Sequence, residues 1–137
     1  MAIIEITDNP ILPDLVVNKA KTDSSGCVLA YVGVIRDYSH DKPVLSVEYK
    51  DPEGTAENRL REIARETSQK WQLNNLAITH RIGKLKVGDI NIVIAIAAAH
   101  RQEAFAACQY AIDRFKQAMP TQKKESYLDG SIQTGWE

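Results

Sequence analysis

The chain alternates between short runs that are apolar almost throughout and longer segments that are apolar only every third or fourth position. Cys27 to Ile35 (CVLAYVGVI) carries no polar face, Gly33 being its one gap. A strand without a polar face is covered on both sides, so this run predicts a central strand. Ile90 to Ala98 (INIVIAIAA) reads the same way, interrupted only by Asn91. Val44 to Tyr49 and Leu76 to Arg81 predict two further strands.

Between these runs the period changes. Ala56, Leu60, Ile63, Ala64 and Trp71 fall on one stripe within DPEGTAENRLREIARETSQKW, which predicts a helix. A second long helix carries Ala104, Cys108, Ala111, Ile112 and Phe115 on its buried stripe. It ends at Met119, because the residue before a proline, here Pro120, avoids the helical region. Pro13 suits the first turn of a shorter helix reaching about Lys21, where TDSSG breaks it. RDYSHDKP reads as a polar loop and GKLKVGD as a turn-rich connection, and a last short strand is expected from Lys124 to Leu128. The expected order is helix, two strands, helix, two strands, helix, strand. That is an α+β fold over residues 1–137, one domain with helices packed on a mostly antiparallel sheet. The two strands without a polar face leave apolar surface that either a second copy of the chain or a second helix layer covers.

Composition narrows the function. A net charge of −1 excludes a general nucleic-acid binder, which needs a basic excess. The longest apolar run, Ile90 to Ala99, contains Asn91 and is too short to span a bilayer. MAIIEITDNP lacks the basic start of a secretory signal. Cys27 and Cys108 both sit inside apolar patterns with no metal-ligand spacing, and read as buried free thiols of a reducing compartment. The expectation is a cytoplasmic protein with no membrane or nucleic-acid partner.

The candidate chemistry is cationic. His100-Arg101 stands where an apolar strand becomes a helix, and the free N–H groups there favour anions. Arg101 adds a fork of donors suited to phosphate or carboxylate. Arg36 ends the first central strand, three residues after Gly33, whose missing side chain allows a close approach to the backbone. Lys116 lies in the last helical turn, and Lys123-Lys124 follow a proline turn. Each has a plain alternative: a solvated arginine, a lysine at a helix C-terminus paired with Asp113, a solvated basic loop. Together they outline an anion pocket, in which a lysine near other cations becomes nucleophilic or a proton donor. His80-Arg81 reads as a strand end and turn. No paired-carboxylate, phosphate-loop, nucleophile-elbow or metal motif is present, so no cofactor is expected.

These pieces resemble the large, catalytic subunit of molybdopterin synthase. GCVLAYVGVIRD, VEYKD followed by AENRLREIARE, HRIGKLKVGD, AHRQEAFAACQYAIDRFK and PTQKKE occur in that family's order and cover most of the chain from Gly26. The resemblance implies an α/β-hammerhead-like fold and a sulfurtransferase of molybdenum cofactor biosynthesis. Sulfur would arrive as a thiocarboxylate on the C-terminal Gly-Gly of a small ubiquitin-like subunit and pass to cyclic pyranopterin monophosphate. The large subunits would form a homodimer with one small subunit at each end, a heterotetramer. The resemblance implies catalytic roles for Lys116 and Lys123. It implies substrate binding by Val34, Ile35 and Arg36 on the strand end, by His100 and Arg101, and by Lys116, Lys123, Lys124 and Glu125. Where relatives carry an aromatic before the second lysine, this chain has Gln122.

Fifteen residues separate Arg101 from Lys116, roughly 22 Å along a straight helix. A single pterin cannot bridge that distance. The expected site is therefore composite: Arg36, Lys116 and Lys123 from one chain, His100 and Arg101 from its dimer mate. Readings from other classes are a non-catalytic module that docks an acidic tail, and a small phosphoesterase, for which no metal or nucleophile–base pair is evident.

Overall fold

A computed structural model describes residues 2–137. Its larger sheet has the order β1-β5-β7-β2, formed by β1 (Ala2–Thr7), β5 (Asn75–Arg81), β7 (Ile90–Ala98) and β2 (Cys27–Val34). β1 and β5 run parallel and the other pairs antiparallel. Alternation along β7 sorts its residues between two cores. Ile92, Ile94, Ile96 and Ala98 face α2 (Ala56–Lys70) and α3 (Arg101–Ala118). Val93, Ala95 and Ala97 face α1 (Pro13–Ala20). A second helix layer thus covers the other side of β7, as one of the two expected solutions requires.

The helices fit because their stripes match the sheet. α2 contributes Leu60 and Ile63, and α3 contributes Ala104, Ala107, Ala111 and Phe115. The alanines let α3 approach closely, and each large side chain buried this way is worth about 1.5–3 kcal/mol. Arg114 Nε donates to Glu66 Oε1 at 3.0 Å, tying α3 to α2. The Arg59 guanidinium donates to the Ala118 carbonyl and satisfies the C-terminal end of α3. Among the described residues no helix is long and apolar enough to cross a membrane.

Several expectations need correction. β2 lies at the edge of its sheet, with Ala30, Val32 and Val34 exposed. An outward apolar face reads like a covered one in sequence. GKLKVGD contains β6 (Gly83–Lys86). RDYSHDKP contains β3 (Tyr38–Ser39) and a tight turn in which His40 and Asp41 take positive φ values of 52° and 60°. β4 (Lys42–Lys50), β8 (Gln122–Tyr127) and β9 (Ile132–Trp136) complete a second sheet of order β3-β4-β8-β9, with β6 on β4. β9 is exposed throughout, so it has no apolar rhythm to read. Cys27 is half-buried, not buried, because it sits on the edge strand. Cys108 is buried, and burial pushes its thiol pKa up to about 11.

Gly26 leads into β2, and its N–H donates to the Ala98 carbonyl at 2.9 Å. A Cβ there would lie 2.1 Å from the Ala99 carbonyl oxygen. Gly26→Ala is expected to push β2 off β7 and cost about 1–3 kcal/mol. The urea midpoint measures this, and an unchanged midpoint contradicts it.

Candidate active site

The two sheets meet where β2 ends. The β2–β7 register slips between Gly33 and Val34, and the chain turns away through Ile35 and Arg36. Ile35 is buried, and its backbone is held on both sides: its N–H donates to Asp89 at 2.9 Å and its carbonyl accepts from Gly88 at 2.8 Å. This clamp places Arg36 at a cleft of about 320 Å³. Lys116 from the last turn of α3 and Lys123 from β8 line the same cleft, as do Val34, Ile35 and Glu125.

Lys123 and Glu125 are two apart on β8 and so share a face. Their charged groups lie 3.8 Å apart. The Glu125 carboxylate also accepts from Tyr127 Oη at 2.9 Å and Ser39 Oγ at 3.3 Å, and His40 Nε2 is 3.5 Å away. It is thus occupied by the protein and holds Lys123 in place. Arg36 and Lys116 form no ion pair among the described residues, so the pairing of Lys116 with Asp113 is absent. Three cations surround one engaged carboxylate, and the cleft favours an anion.

The other expected residues lie elsewhere. Alternation turns Lys124 to the opposite face of β8, where it lines an outer groove with Glu48, Thr134 and Trp136. Lys123 borders both the cleft and this groove, whereas Lys124 lines the groove and does not reach the cleft. Gln122 also lines the outer groove and is not part of the cleft. His100 and Arg101 line a third cleft with Gly26, Cys27 and Glu103, at the N-terminus of α3. The helix is unbroken over its 18 residues. The five cations therefore do not converge within one protomer.

Four cleft residues escaped the sequence reading: Val47 and the polar side chains of Tyr31, Tyr49 and Asn91. Asn91 Nδ2 donates to Tyr49 Oη at 3.3 Å. The close approach that Gly33 permits is made by this carboxamide: a Cβ on Gly33 would stand 2.7 Å from Asn91 Oδ1 and 2.8 Å from Ile92 Cγ2. Behind them His80 is wholly buried, in keeping with its structural reading. Its Nδ1 lies 2.8 Å from the Asn91 carbonyl and its Nε2 2.8 Å from Glu137 Oε1, which also accepts from the Thr121 hydroxyl. Arg81 pairs with Asp89 at 3.5 Å across the turn before β7. The signal for Asn91 was present, since it is the one polar residue in an apolar strand.

A family model described as MoaE protein matches residues 6–118. The molybdopterin synthase catalytic subunit of Bacillus subtilis is 37% identical over 126 residues, 92% of this chain and 80% of that protein. The human protein of the same name is 34% identical over 133 residues, 97% of this chain and 71% of that protein. The crystal structure of molybdopterin synthase from Staphylococcus aureus superposes with a TM-score of 0.90 at 31% identity, covering 97% of this chain and 96% of that one. A complex of subunits 1 and 2 of the molybdopterin-converting factor from Helicobacter pylori shares the fold, with a TM-score of 0.74 at 14% identity over 92% of this chain and 86% of that one.

The packing at Gly33 is testable. Gly33→Ala is expected to displace the Asn91 carboxamide and lower anion affinity at the cleft about tenfold, roughly 1.4 kcal/mol. Titration with inorganic pyrophosphate checks this, and wild-type affinity would mean the carboxamide plays no part in shaping the cleft.

Proposed function

Since this chain belongs to the MoaE family, the catalytic subunits of molybdopterin synthase, we propose that its chemistry takes place in the cleft lined by Arg36, Lys116 and Lys123. The enzyme is a sulfurtransferase. It moves sulfur from the thiocarboxylated C-terminus of a small ubiquitin-like subunit to cyclic pyranopterin monophosphate, forming the dithiolene of molybdopterin. The observation that carries the assignment is the convergence of three cations on one cleft whose single carboxylate, Glu125, is already held by Tyr127 and Ser39.

Both reactants are anions, which suits this charge. Arg36 offers a planar fork to the substrate phosphate. His100 and Arg101 of a second protomer complete the phosphate site, because one protomer keeps them at the far end of α3. The tail's thiocarboxylate sulfur attacks a side-chain carbon of the pterin. A C–S bond forms, a C–O bond breaks, and the oxygen departs with its electron pair. Lys116, without a carboxylate partner, protonates that oxygen or stabilises its charge. Lys123, set by Glu125, positions the end of the tail. Water then cleaves the acyl–sulfur bond. The sulfur stays on the pterin, the tail leaves as a carboxylate, and a second thiocarboxylated subunit repeats the cycle.

A homodimer with two small subunits, a heterotetramer, follows from this reading. The exposed apolar residues Val32 and Val34 on edge strand β2, with Phe105 on α3, give a second copy a surface to cover. The two-subunit complex of the Helicobacter pylori neighbour supports a small-subunit partner. Two unpaired cysteines and a thiocarboxylate reactant suit a reducing cytoplasm.

Lys116→Ala is expected to fold normally and to lose product formation by a factor of about 10² or more. A single-turnover assay with thiocarboxylated small subunit and cyclic pyranopterin monophosphate measures this, and near-normal product removes Lys116 from the chemistry. The shared site has its own test. Lys116→Ala and Arg101→Ala proteins are each expected to be inactive, yet random exchange of their subunits restores about a quarter of wild-type activity, from one intact site in each mixed dimer. No recovery on mixing places both residues in the same protomer's site.

A further inference from the structure

We propose that Tyr49 is a fixed neutral hydrogen-bond donor of this cleft, its hydroxyl held by Asn91 and directed at an oxyanion of the bound ligand. The proposal rests on the cleft being the active site.

Tyr49 lies on β4 as the cross-strand neighbour of Lys123. The residue is buried, with 4% exposed, and lines the cleft. A carboxamide nitrogen can only donate, so the contact from Asn91 Nδ2 uses a lone pair of Tyr49 Oη and leaves the hydroxyl hydrogen free. Among the described residues that hydrogen meets no acceptor. A recessed O–H without an acceptor is costly, and a ligand oxygen beside Lys123 removes the cost.

The hydroxyl is also fixed in place. The Tyr49 ring meets His80 edge-on with centroids 5.7 Å apart, and His80 meets Phe115 edge-on at 5.2 Å. Phe115 immediately precedes Lys116, so the donor and the catalytic lysine rest on one imidazole. His80 is itself locked. The Asn91 carbonyl can only accept, so Nδ1 carries a hydrogen, and Nε2 is held 2.8 Å from Glu137 Oε1. His80 thereby pins the backbone of the residue whose side chain holds Tyr49. Burial, and then the charge of Glu137, raise the hydroxyl's pKa, so it remains a donor throughout the physiological range.

Lysines act as point charges and bind an anion without orienting it, whereas a fixed hydroxyl orients. The acceptor is an anionic oxygen, either of the pterin's phosphate or of the tail's carboxylate. Titration calorimetry with cyclic pyranopterin monophosphate, and separately with the small subunit in its carboxylate form, distinguishes the sources. Tyr49→Phe is expected to weaken one of the two about ten- to a hundredfold while the melting temperature holds. Unchanged affinity in both titrations overturns the proposal, as does a loss of stability without loss of affinity. Should Tyr49→Phe fail to fold, a fluorinated tyrosine at position 49 keeps the ring and makes the phenol more acidic. A more acidic phenol is a stronger donor while it stays neutral, so the affected affinity is expected to tighten at neutral pH, and an unchanged affinity overturns the proposal. Lys116→Ala keeps the two failures apart: if it turns over normally the site assignment falls, and if it is inactive beside an unaffected Tyr49→Phe only the tyrosine's role falls.

Discussion

A strand buried on both faces can carry no charge along its length, and β7 imposes that constraint on the whole molecule. Its residues from Asn91 to Ala98 are buried. Charged side chains there would need partners that neither helix layer supplies. Chemistry is consequently displaced to the ends of the strand. At one end stands Asn91, beside Arg36 and the cleft; at the other, His100 and Arg101 open α3. α3 then runs back across the same sheet and delivers Lys116 to the first end. The two cationic clusters are separated by the length of the layer that stabilises the fold. A site that needs both must draw them from two copies.

The second sheet solves a different problem. A cleft with three cations repels its own walls unless something holds them, and a buried carboxylate would neutralise what the ligand needs. Glu125 meets both demands because Tyr127 and Ser39 both donate to its Oε1, and its Oε2 makes only a long contact at 3.8 Å to Lys123. The lysine is positioned without being saturated. Alternation along β8 removes the adjacent Lys124 to the outer groove, so the strand offers the cleft one cation rather than two.

Much of this was legible in the sequence, wherever the signal was periodic. β7, α2 and α3 follow from their apolar spacing, and Arg36, Lys116 and Lys123 follow from cations standing at the ends of apolar elements. The apolar run of β2 predicts a central strand and the fold puts it at an edge, because an exposed apolar edge and a covered face look alike along a chain. β3, β6 and β9 are short or wholly exposed, and only pairing with distant segments makes them strands. Lys124 could have been set apart from the expected strand alone, since neighbours on a strand point to opposite faces. Tyr49 and Asn91 could not, for 42 residues separate them and their contact exists only once β4 has met β7.

Gly33 shows how these levels depend on one another. Its missing side chain weakens β2 locally. The space it leaves is filled by the Asn91 carboxamide, which would otherwise strike a Cβ 2.7 Å away. That carboxamide reaches Tyr49 on the other sheet, while its own backbone is tied to His80. One absent methyl thus admits a polar bridge between the two sheets, beside the one that His80 makes to Glu137. The bridge turns a set of non-directional charges into a cleft with a fixed donor, because charge alone concentrates an anion without selecting its orientation. In the proposed site the two act together: the cations bring two anions into one cleft, and the held hydroxyl sets the direction in which an oxygen binds.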